Sequence, residues 1–258
     1  MRWWSICKRE FHSYFTSPIA YLVLTGFVLL AGYFFFNMLA FFNASLERYA
    51  QMKAFMGANQ AAPNLNQWVI EGYFQTLLVV LVFMVPLLTM RLLAEEKRRG
   101  TFELLITSPI SISDLVIGKF FGVASVLMLM LIGAACFPLL LIVYGNPEVM
   151  PIVSGLLGVV LCTLSFASIG MAASAFTENQ IVAGVSSMVV LLLLYVIHSP
   201  AESIGGTFGE VLRYLSPVMQ VQDLVKGVIS LKAVVYFLSL ISLGLFLSHR
   251  ALEAERWR

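Results

Sequence analysis

Charge is what this sequence has least of, and where it is missing matters more than how little there is. Six stretches contain no Asp, Glu, Lys or Arg: Ile19–Phe42, Gly72–Met90, Phe120–Tyr144, Pro151–Phe176, Ile181–Ile197 and Ala233–Ser248. Only 12% of the 258 residues are charged and 60% are hydrophobic, more apolar surface than a soluble domain of this length can hide. A helix needs about 20 apolar residues to cross a bilayer core, so the runs predict six transmembrane helices. Helix is the required form there, because lipid offers no partner for open backbone groups. The last two runs are short and need a few more residues at their ends.

Other absences narrow the chemistry. Three cysteines, Cys7, Cys136 and Cys162, are too few and too scattered for a disulfide framework or a metal site, and are expected to act as small buried hydrophobes. His12, His198 and His249 are equally dispersed. No G-x-x-x-x-G-K-[ST] phosphate loop occurs; the Gly118-Lys119 pair has Ser113 where the first glycine belongs. The chain is therefore expected to bind no nucleotide and to be no enzyme by itself. Without ionisable groups inside the runs, a proton- or ion-coupled carrier is disfavoured. Ser186 and His198 cannot form a hydrolytic dyad, being about 18 Å apart on one helix. A net charge of only +2 gives no reason to expect a nucleic-acid partner.

The basic residues set an orientation. With both termini on one side, that side carries Arg2, Lys8, Arg9, Arg91, Lys97, Arg98, Arg99, Lys119, Arg250, Arg256 and Arg258. The other carries Arg48, Lys53, Arg213, Lys226 and Lys232. The excess places both termini in the cytoplasm and supports an even number of spans. Met1-Arg2-Trp3-Trp4 lacks a signal-peptide cleavage pattern, so the first run is expected to remain in the mature protein.

Residues 2–17 predict an interfacial helix, with Arg2, Ser5, Arg9, His12 and Thr16 on one face and Trp4, Cys7, Phe11, Tyr14 and Phe15 on the other. Asn43–Glu71 is polar and partly structured in this reading. Ser199–Lys232 is too apolar for a free loop and too polar for a span, which predicts short helices that dip into the outer leaflet or pack on the bundle. Pro86 and Pro138 lie inside spans two and three, where each removes a backbone donor. The fourth span carries Gly155, Gly158, Ser165, Ser168, Gly170 and Ser174, small residues that allow close helix approach, so it is expected to be buried in the bundle.

The densest polar information is in Glu95-Glu96-Lys97-Arg98-Arg99-Gly100-Thr101-Phe102-Glu103-Leu104-Leu105-Ile106-Thr107-Ser108-Pro109, between spans two and three. Gly100 suits a turn, Thr101 can cap a short helix, and Phe102, Leu105 and Ile106 would share one face of it. Ser108-Pro109 ends that helix, and Ser111-Ile112-Ser113-Asp114 starts another that carries Lys119 into span three. A short cytoplasmic helix with an apolar face, held between two spans, can carry a push from a soluble partner into the bundle.

This segment, followed by Ile117-Gly118-Lys119, resembles the signature loop of ABC-2-type permeases. Phe15–Leu22 (FTSPIAYL), Thr177–Ala183 (TENQIVA) and Val225–Ile229 (VKGVI) resemble the short gliding-motility-type permeases, as does the short Asn43–Glu71 connection. The resemblance implies a single all-α domain over residues 1–258: an interfacial helix at 1–17, a six-span bundle at 18–249 and a cytoplasmic tail at 250–258. It implies a permease subunit in a bacterial cytoplasmic membrane, working with a second permease chain as a homo- or heterodimer. Two copies of a separate ATPase subunit would bind the ATP and Mg, with no cofactor in this chain. It leaves room for an auxiliary extracytoplasmic or membrane-anchored subunit. By position in the motif, Glu95, Glu96, Gly100, Thr101, Phe102, Glu103, Leu104, Leu105 and Ile106 are the expected ATPase-coupling interface, with Glu95 and Glu103 facing basic partner residues. The same coupling helix would also serve a chain that transmits ATPase work to an external partner without passing a solute.

Overall fold

The computed structural model describes residues 2–56, 62–101, 111–145, 147–199 and 206–256. Among them there are helices, turns and no strands. In chain order the helices are α1 (Arg2–Phe15), α2 (Pro18–Met56), a π-helical turn (Asn66–Glu71) leading into α3 (Gly72–Thr89), α4 (Ala94–Arg98), α5 (Ile112–Tyr144), α6 (Val149–Ala175), α7 (Gln180–Val196), α8 (Gly206–Leu215), α9 (Pro217–Val225) and α10 (Leu231–Arg256).

Among the described residues, five helical segments are long and apolar enough to cross a membrane: those built on α2, α3, α5, α6 and α10. α7 is equally apolar but has 17 residues, about 25 Å of helix. α2 departs furthest from expectation. Its apolar run closes at Phe42, yet the helix continues to Met56. The continuation Asn43–Met56 holds no Gly or Pro and is rich in Ala, Leu, Glu, Arg, Lys and Met, all good helix formers.

α6 lies at the centre. Of its most apolar stretch, 61% is buried within the protein, against 28% for α2 and α10, which form the periphery. Its small residues are what permit this. A methyl group at Gly244 of α10 would fall 2.7 Å from the backbone carbon of Ser168 on α6, so the two helices meet backbone to backbone. Ser165 and Ser168 hydroxyls sit 3.3 and 3.4 Å from the Phe237 and Leu240 carbonyls across the same contact. Gly155 accommodates the Phe74 ring of α3 in the same way.

Pro138 removes the N–H that would bond to the Ala134 carbonyl one turn earlier. Buried Tyr73 of α3 supplies the substitute: its hydroxyl donates to that carbonyl at 2.8 Å. Over the region expected to hold short helices, α8 and α9 pack on the bundle. Tyr236 of α10 donates to the Leu215 carbonyl at 2.6 Å, and Gln220 donates to the Tyr214 carbonyl at 3.1 Å.

α1 packs along the start of α5, and its apolar side is shared between the protein and the surroundings. Ile6, Cys7 and Tyr14 are buried, while Trp4 and Phe11 are exposed. Gly118 and Gly122 of α5, one turn apart, form the groove: Cβ atoms there would lie 2.8 Å from Ile6 and 2.6 Å from Glu10. The cysteine expectation also needs one correction. Cys7 and Cys162 are buried, but Cys136 points outward from α5.

Candidate functional site: a charged hub around α4

The charge run after span two folds into α4, a five-residue helix on which several elements converge. α3 ends at Thr89, and the chain turns through Met90–Leu93. Ser174, near the end of α6, fixes that turn. Its Oγ accepts the Leu93 and Ala94 N–H groups at 3.1 and 3.0 Å and donates to the Met90 carbonyl at 2.9 Å. One serine thus satisfies three backbone groups where two helices meet. Leu92, Leu93 and Ala94 are buried beneath it.

From there α4 directs two charged side chains inward. Lys97, its side chain 3% exposed, reaches the Ala175 carbonyl at the end of α6 and Glu255 of α10 at 2.5 Å. A cation at a helix C-terminus also complements the helix dipole. Glu96 turns toward α5. Its Oε1 lies 2.9 Å from Lys119 Nζ, which lies 2.6 Å from Glu10 of α1 and 2.7 Å from the Leu92 carbonyl. Lys119 is 1% exposed. Its ammonium donates to Glu10 and to the Leu92 carbonyl and pairs by charge with Glu96. Arg9 stands at the rim, 3.5 Å from Glu96 and 4.0 Å from Glu10. Two carboxylates and two cations balance, as buried charge requires.

Tyr14 completes the clamp between α1 and α3. Its hydroxyl donates to the Leu88 carbonyl at 2.7 Å, and the Arg91 guanidinium lies 4.4 Å above its ring. Burial pushes the phenol above its ordinary pKa, so it remains a donor throughout the physiological range. Between α1 and α4 an open cavity of about 480 Å³ is lined by Arg9, Tyr14, Arg91, Glu95 and Lys119, among others.

The expected interface residues separate into three groups. Glu96 is engaged inside the chain. Glu95 pairs with Arg99 one turn on, and Arg98, Arg99 and Gly100 are exposed. Gly100 has φ +67°, a left-handed conformation that ends α4, and nothing lies within 4 Å of where its Cβ would be. The Thr101 hydroxyl donates back to the Glu96 carbonyl at 3.2 Å. Phe102, Glu103, Leu104, Leu105 and Ile106 lie outside the described residues. The chain is described again at Ser111, whose Oγ accepts the Asp114 N–H at 3.1 Å and caps α5, as its pattern predicts.

Glu10 escaped sequence reasoning. The available signal was Ile6, Glu10 and Tyr14 at successive four-residue steps: a single acid inside an apolar stripe. The two residues weighed as a dyad are each satisfied locally: Ser186 donates to the Ala183 carbonyl at 3.1 Å, and His198 Nδ1 lies 2.6 Å from the Tyr195 carbonyl.

A search of curated proteins finds no match to the chain. A family model described as ABC-2 family transporter protein matches residues 4–250, from α1 through the hub and nearly to the end of α10. The chain belongs to the ABC-2 family of transporter proteins.

Proposed function

We propose that this chain is the permease subunit of an ABC transporter of the short gliding-motility type, and that α4 with residues 100–106 couples it to a separate ATPase subunit. Family membership supports the permease role and, in general terms, the ATPase partner. In this reading α2, α3, α5, α6, α7 and α10 cross the membrane, α1 lies at the cytoplasmic interface, and both termini are cytoplasmic. The chain itself hydrolyses no ATP; the nucleotide and Mg belong to two copies of the partner, and a second permease completes the pathway.

The observation that carries the coupling role is the hub. Glu96 and Lys97 tie α4 to α1, α5, α6 and α10, while Arg98, Arg99 and Gly100 remain outward. A push on the exposed edge of α4 is therefore delivered to four helices at once. Glu96 acts as a positioning residue, and the contact itself falls to Glu95, Thr101, Phe102, Glu103, Leu104, Leu105 and Ile106.

Copurification of the ATPase subunit with permease variants tests this. Truncating an aromatic anchor commonly costs about 2 kcal/mol or more of binding, so Phe102→Ala weakens association about thirtyfold or more. Glu103→Lys weakens it through charge mismatch. If both variants insert, remain monodisperse and hold the ATPase as tightly as the parent, the segment is a loop and the reading fails. Introduced cysteines at Asn59 and Gly206, but not at Arg98, should label from outside sealed cells.

A further inference from the structure

The hub uses its charges internally; at the other end of α2 there is an arginine that does not. Where α2 outruns its apolar stretch it stands beside the chain entering the π-helical turn, and the two enclose an open cavity of about 470 Å³. That is within the usual range for small-molecule sites, about 300–1,000 Å³. At its inner end Phe41 stacks on Trp68, with ring centroids 5.8 Å apart and planes inclined by 27°. Farther along the same face of α2 come Arg48 and then Met52, and the facing chain supplies Asn64 and Gln67. Arg48 is exposed, and no carboxylate lines the cavity among the described residues. The cytoplasmic cavity differs in kind, since Glu10, Glu95 and Glu96 line it and offset its cations.

The site thus has an aromatic inner end, an uncompensated guanidinium and neutral amide groups. It stands where a transmembrane run gives way to polar helix, the level at which Trp and Tyr rings settle in membranes. Guanidinium matches phosphate by geometry as well as charge. We propose that this cavity binds an anionic glycerophospholipid, its phosphate on Arg48 and its upper acyl chain against Phe41 and Trp68. The inference rests on the permease reading only in placing the cavity at the outer membrane face. The lipid has two sources, the surrounding bilayer or a lipidic cargo, and the chemistry of recognition is the same for both.

The test uses the full chain in lipid nanodiscs, without ATPase. Trp3→Phe, Trp4→Phe and Trp257→Phe leave Trp68 as the single tryptophan. Its fluorescence is quenched by brominated phosphatidylglycerol or brominated phosphatidylcholine titrated into an unbrominated host. One cation near an anionic headgroup gives a preference of about fivefold for the anionic lipid. Arg48→Gln should reduce it to parity and Arg48→Lys should keep most of it. Because Arg48 is exposed, an unchanged melting temperature verifies that the variants fold. Equal quenching by the two lipids in the parent, or a preference that survives Arg48→Gln, overturns the proposal. Anionic-lipid preference in a chain that binds no ATPase would leave this site standing while the permease reading falls. Adding ATPase and ATP then separates the sources: turnover releases a cargo lipid and leaves a resident one in place.

Discussion

Lys119 Nζ lies 2.6 Å from Glu10 Oε1 across 109 positions of sequence. With Glu96 on the other side of the ammonium, α1, α4 and α5 share one buried charge. Replacing such a group by well-packed apolar residues is often neutral, but removing one partner strands the rest. What the triad specifies is position: α1 and α4 can each sit in one place relative to α5.

Lys119→Met leaves two carboxylates facing each other in a buried setting. The variant should lose about 3 kcal/mol of stability, seen as a lower melting temperature of the detergent-solubilised chain. Adding Glu10→Gln and Glu96→Gln to it should recover most of the loss. A triple variant no better than the single one would mean that the carboxylates do not sense the lysine.

Ser174→Ala removes one acceptor from two buried N–H groups and one donor from the Met90 carbonyl. The cost should be about 2 kcal/mol, measured in the same melting experiment. Its second readout is specific to position: ATP hydrolysis by the assembled complex should become less responsive to the permease even where the ATPase still copurifies.

Gly100→Val forces a β-branched residue to φ +67°, at a cost of about 1–2 kcal/mol. No atom stands in the way of the new Cβ, so the penalty comes from the backbone alone. Gly100→Asn should therefore stay near the parent in ATPase copurification while Gly100→Val falls below it. Equal behaviour of the two would remove the turn from the argument.

Tyr73→Phe deprives the Ala134 carbonyl of its donor, at about 1–3 kcal/mol. Pro138→Ala supplies a helical N–H to that same carbonyl. Combined with Pro138→Ala, Tyr73→Phe should cost less than it does alone, a coupling measurable as a double-mutant cycle on thermal unfolding. Strict additivity would show that the hydroxyl and the proline do not meet at Ala134.

Local features could be read from the sequence because local chemistry sets them. The apolar runs, the Ser111 cap, the Gly100 turn and the small-residue face of α6 all depend on spacing within a few residues. The hub could not be read the same way. Glu95 through Arg99 looks like a solvated charge run, and only the fold turns Glu96 and Lys97 inward to partners far along the chain. Glu10 was hidden because its neighbours on α1 are basic and its partner is on another helix. The continuation of α2 was present in residue propensities, but polarity after Phe42 outweighed them in the reading. Phe102 through Ile106 remain an expectation from the motif.

The Lys97–Glu255 pair spans 158 positions and joins the end of the second span's segment to the far side of the last one. A ribosome delivers these groups in order, so Lys97 is made long before Glu255 exists. The Ala175 carbonyl reaches it once α6 is in place, and Glu255 only after α10 has been made. Closure of this pair therefore reports completed insertion. A chain stalled before its final helix lacks this tie between α4 and α10, so on the proposed coupling role α4 becomes fit to receive a partner only at the last step of biogenesis.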